Sequence, residues 1–459
     1  MLGVPSSGAD IDAQNGARSV SDTVDGGAHR RDLPAVAVIV AMFALVFVPN
    51  IIQKFLGGAS ARIVGASVVD SAQASLTRTI ISLVAIILCV YLIVRRQRRS
   101  ASTAPAVAGI VVLLIPWLLL TVFDFFGHRI IPSPQSLLYP LLCVAIWRAR
   151  LGESGLRVIA RCAIAVAAIS VILGSMFPNS GLETITTGQF IASEKALLFG
   201  SLLSGVYFSG NNLGQFLVLL LPLMLYLKTR FGRVLGVVLV VFAIVWTGSR
   251  SSLITMIVIA VLALLLVLID SDTSRRRLAW VVGTIALIVS LLVPFFFSGD
   301  ARAFTGRGHI WATTLSYVAE SPILGMGSRW FTVITGTDSD FGSTANQYVF
   351  HAHNQWLQLL ATGGVVLSIA VLAMLFIAMK LAIRSASHRS MPAALYIVAF
   401  LLSGILELNL GFVDRAILWP SALLPLAVIV SMPKGIRFAS KMKNFARRQG
   451  EMHPGKYPA

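Results

Sequence analysis

Stretches of unbroken apolar residues, each close to the length that crosses a bilayer, recur along this chain and limit what it can become. A helix needs about 17 to 25 residues to traverse roughly 30 Å of hydrocarbon. Twelve stretches approach that length, at about 33–52, 79–94, 104–123, 133–147, 155–176, 212–228, 232–247, 252–269, 278–297, 355–379, 392–411 and 416–432. Over 459 residues, 56% hydrophobic and only 12% charged, a water-soluble globular domain is excluded. The expected fold is an all-α integral membrane protein with about twelve transmembrane helices.

Basic residues orient those helices. With the N-terminus cytoplasmic, "RRQRR" (95–99), Arg148 to Arg161, Lys228 to Arg233, "SRRR" (274–277), Lys380 to Arg389 and the tail from Lys434 all fall on the inner side. Most of the 37 Lys and Arg then lie inside, as the positive-inside rule requires, and both termini are cytoplasmic. The formal charge of +18 thus reads as inner-leaflet anchoring rather than nucleic-acid binding. Residues 1–32 are expected to be a disordered cytoplasmic tail without a cleavage pattern, 33–432 the polytopic membrane domain, and 433–459 a basic cytoplasmic tail. Cys89, Cys143 and Cys162 fall inside spans and imply neither a disulfide framework nor a metal motif.

The long connections on this topology are extracytoplasmic, above all 298–354 between the ninth and tenth helices, and that face is where chemistry is sought. In "WTGSRSSLI" (246–254), Arg250 sits in a hairpin where the next helix begins. A cation at a helix N-terminus is mildly unfavourable unless an anion joins it, so Arg250 with the free amides there forms a candidate anion site; a snorkelling arginine gives the same pattern. In "FTGRGHIWATTLSYVAESPILGMG" (304–327), Gly306 and Gly308 bracket Arg307, and a short helix is expected from about His309 to Glu320, with Trp311 on its apolar face, either roofing a cavity or lying in the aromatic belt. In "FHAHNQWLQLLATGG" (350–364), Asn354 suits an N-cap and places His353 at the helix mouth, with His351 two residues before it. A helix N-terminus disfavours imidazolium, which leaves His353 as a candidate general base or, less eventfully, a hydrogen-bonded cap. The His-Ala-His pair lacks visible further ligands for a metal. "SGNNLGQFLVLLLPL" (209–223) carries Asn211, Asn212 and Gln215 into a span and reads as cavity lining. The "DSD" at 338–340 and the acids Asp124, Glu183, Glu194, Glu407 and Asp414 single out nothing.

Outward arginines at amide-rich helix ends suit a phosphate or diphosphate, because a guanidinium pairs bidentately with its oxygens. A lipid-linked diphosphate sugar would hold its head at that depth, with a histidine to deprotonate an acceptor hydroxyl. "GRGHIW…ESPILGMGSRWF" followed by "HAHNQWLQLLATGG", with "SRSS" at 249–252, resembles the O-antigen ligase and O-antigen polymerase superfamily over roughly residues 205–430. The resemblance implies an inverting, metal-independent and cofactor-free glycosyltransferase on the outer face of the cytoplasmic membrane. It implies an undecaprenyl-diphosphate-linked glycan as donor and a glycan or lipid-glycan as acceptor, with 298–354 as the catalytic loop. Arg250 and Arg307 would bind the diphosphate and His353 would be catalytic; Asn354, Trp311, Asn211, Asn212 and His351 are the expected substrate contacts. A ligase and a repeat-unit polymerase differ mainly in acceptor, and the compact Gly-, Ser- and Thr-rich stretch 332–346 leaves that choice open. A twelve-span secondary transporter would show two halves joined by a long inner loop and mid-span charges, which this chain lacks.

Overall fold

The computed structural model describes residues 9–56, 71–95, 104–183, 195–331, 351–384, 390–413 and 416–432. The "DSD" at 338–340, Glu194, Asp414, the stretch 332–346 and the basic tail lie outside them. Among the described residues the secondary structure is helical, apart from an isolated bridge between Leu182 and Leu203. The principal helices are α1 (Ala9–Leu56), α2 (Ala72–Val94), α3 (Ala104–His128), α4 (Leu138–Ala149), α5 (Gly152–Met176), α6 (Gly210–Leu220), α7 (Arg230–Thr247), α8 (Arg250–Leu268), α9 (Asp272–Phe297), α10 (Ala303–Glu320), α11 (Gln355–Arg384), α12 (Pro392–Ser403) and α13 (Leu423–Ser431). Helix α1 begins at Ala9, upstream of the first expected span, and the part of it that is membrane-length is Leu33–Leu56.

Among the described residues, eight helices are long and apolar enough to cross a membrane: α1, α2, α3, α5, α7, α8, α9 and α11. The other four expected spans are short. Helix α4 has 12 residues, α6 has 11 before it tightens into a 3-10 turn at Leu221–Tyr226, α12 has 12, and α13 has 9. Prolines account for much of this, since each lacks an amide donor and resists a preceding helical residue: Pro222 opens the 3-10 turn, Pro392 opens α12, and Pro420 precedes α13. An interrupted backbone survives within a bilayer only where protein or a polar cavity satisfies it. Every residue of α13 is buried, as is nearly all of α12 and α6. The broken helices therefore form the centre, wrapped by the long ones, and Tyr396 braces them by donating to the carbonyls of Ser421 and Ala422.

The segment after α10, "PILGMG", crosses α11 where that helix breaks at Gly364 (φ 63°, ψ −163°). Four backbone hydrogen bonds join the two: Met326 and Gly327 donate to the carbonyls of Ala361 and Thr362, and Val365 and Val366 donate to those of Pro322 and Ile323. The helix's lost internal bonds are thus replaced by an adjacent strand of chain. Backbone meets backbone closely enough to exclude side chains. A Cβ on Gly364 would lie 2.2 Å from the Ile323 carbonyl oxygen, and one on Gly325 2.5 Å from the Gly363 nitrogen. Gly364→Ala should cost about 2–5 kcal/mol from the combined strain and overlap. Thermal unfolding in detergent measures this; an unchanged midpoint would mean that the crossing is loose.

At the far end of α1, Lys54 is buried, and its ammonium donates to the carbonyls of Ser180 (2.7 Å) and Gly205 (2.7 Å) and to Ser204 Oγ (3.0 Å). These bonds supply the hydrogen-bond partners that a buried ammonium requires. They tie α1 to the turn that leads through Tyr207 into α6, so the first span is built into the wall of the site described next.

Candidate active site

Arg307 enters the site from an unusual piece of backbone. Phe304, Thr305 and Gly306 are all left-handed (φ 50°, 65° and 89°), and the regular helix begins immediately after them. Side-chain-bearing residues pay for that conformation. The turn aims Arg307 at Leu406 and Glu407, on the stretch that follows α12. Its neighbour Gly308 is needed for a different reason than ligand approach: a Cβ there would overlap the chain's own Asp300 carbonyl.

Trp311, one turn further along α10, is fully buried, and its indole N–H donates to the Ala352 carbonyl (3.0 Å). It packs with Ile310, Phe331, Leu357 and Ala361 in a small cluster of its own. The sequence showed an aromatic on a helix face, and the structure spends that aromatic on fixing the strand that carries both histidines.

Asn354 is tied into the fold by four hydrogen bonds. Its Oδ1 accepts from the amides of Trp356 and Leu357 (both 2.9 Å), confirming the N-cap, while its Nδ2 donates to the carbonyls of Ser290 (3.2 Å) and Ile405 (3.0 Å). It is completely buried. Immediately before this rigid cap, His353 is held left-handed (φ 49°) and remains part-exposed, with its amide donating to His351 Nδ1 (3.1 Å). The two imidazoles lie 4.0 Å apart, centroid to centroid.

The residue that completes the site is Glu407, which sequence reasoning passed over. It follows α12 on the non-helical stretch 404–413, and its side chain is 3% exposed. Arg307 Nη2 donates to Glu407 Oε1 (2.6 Å), and Arg307 Nη1 donates to the neighbouring Leu406 carbonyl. His353 Nδ1 lies 3.6 Å from Glu407 Oε2, beyond a hydrogen bond but within ion-pair reach of a protonated ring. One carboxylate therefore stands between the arginine and the histidine, with one oxygen toward each.

Buried amides hold that stretch in place. Gln355 Oε1 accepts from the amides of Asn409 and Leu410 (both 2.9 Å), and its Nε2 donates to the Leu410 carbonyl (3.1 Å). Gln215 donates to the Leu408 carbonyl and to Asn409 Oδ1, both at 2.7 Å. Every interaction anchors residues 404–410 to α6 or to the mouth of α11. A fully satisfied polar network of this kind gives a unique arrangement within an apolar interior.

Glu407 and His351 line a cavity with Asn212, Gln215, Tyr207 and Ser421. The expectation that α6 contributes cavity lining holds for Asn212 and Gln215; Asn211 is half-buried and does not line that cavity. Among the described residues, His351, His353 and Glu407 also form a potential metal cluster, with ligand atoms within 4.8 Å of one another. Two imidazoles and a carboxylate are a suitable donor set for zinc, and Glu407 is the third ligand that the sequence did not reveal. Against that use, Arg307 already occupies one carboxylate oxygen, and its charge opposes a dication at such range.

Arg250 stands apart from this cluster. It is exposed at the first position of α8, whose N-cap is Ser249. The Ser249 hydroxyl is shared with those of Ser251 (3.3 Å) and Ser252 (2.9 Å) and makes no side-chain capping bond. Ser249 and Ser252 pack against Gly214, where a Cβ on the glycine would come within 3 Å of either. Helix α6 thus lies between the two arginines' neighbourhoods, meeting the Arg250 hairpin on one side and Glu407's stretch on the other.

Residues 235–372 match the O-antigen ligase family. The matched segment carries Arg250, Arg307, His351 and His353 and stops short of Glu407. No curated protein matches the chain.

Proposed function

Because the chain is O-antigen ligase-like over residues 235–372 and carries multiple membrane-length helices, we propose that it transfers glycan from an undecaprenyl-diphosphate-linked donor to an acceptor hydroxyl at the extracytoplasmic face of the cytoplasmic membrane. The observation that carries this reading is the contact sequence Arg307–Glu407–His353 at the mouth of α11. Arg307 spends two N–H groups on Leu406 and Glu407. A guanidinium has five, so three remain for a diphosphate, now presented in a fixed plane. Arg250 and the amides at the start of α8 supply a second point of attachment.

In this mechanism His353 takes the proton of the acceptor hydroxyl. The acceptor oxygen forms a bond to the anomeric carbon, the bond from that carbon to the diphosphate oxygen breaks, and polyprenyl diphosphate leaves with the electron pair. Direct displacement inverts the anomeric centre. Glu407 beside Nδ1 favours the tautomer with its proton there, leaves Nε2 as the basic nitrogen, and stabilises the positive charge that develops on the ring. The leaving diphosphate's charge falls to the arginines. Arginine rather than a metal ion then provides the electrostatic stabilisation, and a chelator should leave the rate unchanged.

The test uses purified protein in liposomes with native undecaprenyl-diphosphate-linked oligosaccharides, following release of undecaprenyl diphosphate by mass spectrometry. Arg307→Lys should lower transfer at least about 100-fold because an ammonium lacks the planar fork, and Arg250→Ala should do likewise at normal expression. Near-wild-type rates in both variants would sink the diphosphate site. Product length separates a ligase, which moves a finished chain once, from a polymerase, which extends it.

A further inference from the structure

Helix α6 is short and mostly buried, yet three consecutive residues on it, Gly214, Gln215 and Phe216, touch three different parts of the site. Successive residues of a helix point about 100° apart, so each addresses its own neighbour. The glycine face meets the hairpin that carries Arg250. A Cβ on Gly214 would lie 2.8 Å from Ser252 Oγ and 2.9 Å from both Thr247 Oγ1 and Ser249 Cβ. One turn earlier on that face, a Cβ on Gly210 would lie 2.8 Å from the Thr247 carbonyl oxygen. Glycine at both positions lets α6 seat directly on residues 247–252, the small-residue packing by which chain segments approach most closely.

Gln215 holds the stretch that carries Glu407. Its Nε2 donates to the Leu408 carbonyl and to Asn409 Oδ1, both at 2.7 Å. Both N–H groups of the carboxamide are thereby engaged, and Asn409 is held from its other side by Ser403 and the Phe400 carbonyl. Leu408 directly follows Glu407, whose carboxylate grips Arg307. Phe216 fills the third direction, with Phe43, Phe47 and Tyr207 at ring-centroid distances of 5.9, 5.2 and 5.7 Å. Clamped on three sides, α6 can neither slide along its axis nor turn about it without losing one of these contacts.

The placement of α6 matters because a ligand held at two points gains over either point alone only where their spacing matches it, and the gain is then about 10²–10⁴-fold. Misplacing a positioned group by about 1 Å costs on the order of 10²-fold in rate. Chain connectivity does not set the interval between Arg250 and Arg307, since the whole of α8 and α9 lies between them. Helix α6 touches the supports of both: the hairpin of the first through its glycines, and the carboxylate-bearing stretch that anchors the second through Gln215.

We propose that α6 is the spacer of the donor site, with Gly214 and Gln215 as its positioning residues. Gly214 sets how near the Arg250 hairpin lies, Gln215 fixes the stretch that carries Arg307's partner Glu407, and the resulting interval between the two guanidiniums is the one that a single diphosphate spans. This rests on the glycosyl-transfer reading above and adds to it what sets the distance between its two cations. In this role neither residue touches the diphosphate; both act through the arginines.

The probes are inorganic pyrophosphate and inorganic phosphate, titrated into the full-length protein in detergent micelles. Pyrophosphate engages both arginines and phosphate one, so wild type should bind pyrophosphate about 10²-fold more tightly. Arg250→Ala should remove most of that preference. Gln215→Met keeps the side chain's length and loses its two donors; it should lower the preference about tenfold while phosphate affinity stays at the wild-type value. Gly214→Ala, which displaces the hairpin instead of the Glu407 stretch, should lower it similarly, so the test stands on a second variant if the first fails to fold. A wild-type preference below about tenfold overturns the spacer. So does a preference that survives intact in whichever variant folds, or a parallel loss of both probes, the mark of a general structural defect. Spacing has no meaning once one arginine is gone, so in the Arg250→Ala background Gln215→Met should have almost no further effect on pyrophosphate affinity; full additivity overturns the proposal. With native donor, Gln215→Met should lower kcat/KM for release of undecaprenyl diphosphate about tenfold. If the preference behaves as expected and wild type never consumes donor, the glycosyl-transfer reading fails and the spacer stands. If wild type consumes donor and neither α6 variant alters the preference, the spacer fails and that reading stands.

Discussion

His353→Asn should reduce glycan transfer by about 10²–10⁴-fold, the usual contribution of a positioned general base, with donor binding retained. Asparagine is the appropriate replacement because position 353 is left-handed (φ 49°), a conformation in which Asn is comparatively at ease. Alanine would confound lost chemistry with added backbone strain. His353→Gly sharpens the test. It should be equally inactive and yet more stable by about 1 kcal/mol, since glycine adopts that backbone at no steric cost. A single-turnover assay gives the rate and thermal unfolding the stability. If His353→Asn transfers at the wild-type rate, the base lies elsewhere; if His353→Gly is destabilised, the imidazole supports the fold rather than straining it.

Glu407→Ala should abolish transfer and also cost about 3–5 kcal/mol, because it leaves the mostly buried Arg307 without its counter-charge. Glu407→Gln isolates the chemical part. The amide keeps a hydrogen bond to Arg307, so the protein should fold nearly as well while transfer falls by about 10²-fold through loss of the charge facing His353. A positioning role further requires that the two substitutions act through the histidine. In the His353→Asn background, Glu407→Gln should have almost no additional effect on the residual rate, as groups acting as a unit are far from additive. Full additivity would separate Glu407 from the base and leave it as Arg307's structural partner.

The parts of the site that could be read from sequence were those lying within one turn of a helix start. His353 and Asn354 were placed correctly because a cap and the residue before it are local facts, and Gln215 because a polar residue inside an apolar run must face something polar. Glu407 was hidden by the same logic. It falls within the run 392–411, which hydropathy joins into one span, and its partners Arg307 and His353 are distant in sequence. Hydropathy measures how apolar a stretch is and carries no information on whether its backbone bonds to itself. Helix α12 stops at Ser403, and the apolar residues beyond it are packed as irregular chain. The same limitation merged the short α4, α6 and α13 into full spans. For Trp311, amphipathic spacing identifies its buried face, but a face against a substrate and a face against the chain's own Ala352 carry the same pattern.

The glycine crossing between "PILGMG" and α11 bears on how a bulky lipid-borne glycan reaches the site. Arg307 sits at the start of the helix leading into that crossing, and His353 just before the helix that receives it. Parting them would break four backbone hydrogen bonds at once, between segments packed glycine to backbone. The arginine and the histidine therefore travel as one rigid jaw. If the proposed donor requires the site to widen, the movement falls to the opposite wall, which Asn212, Ser421 and the short turn around Ile417 line with side chains.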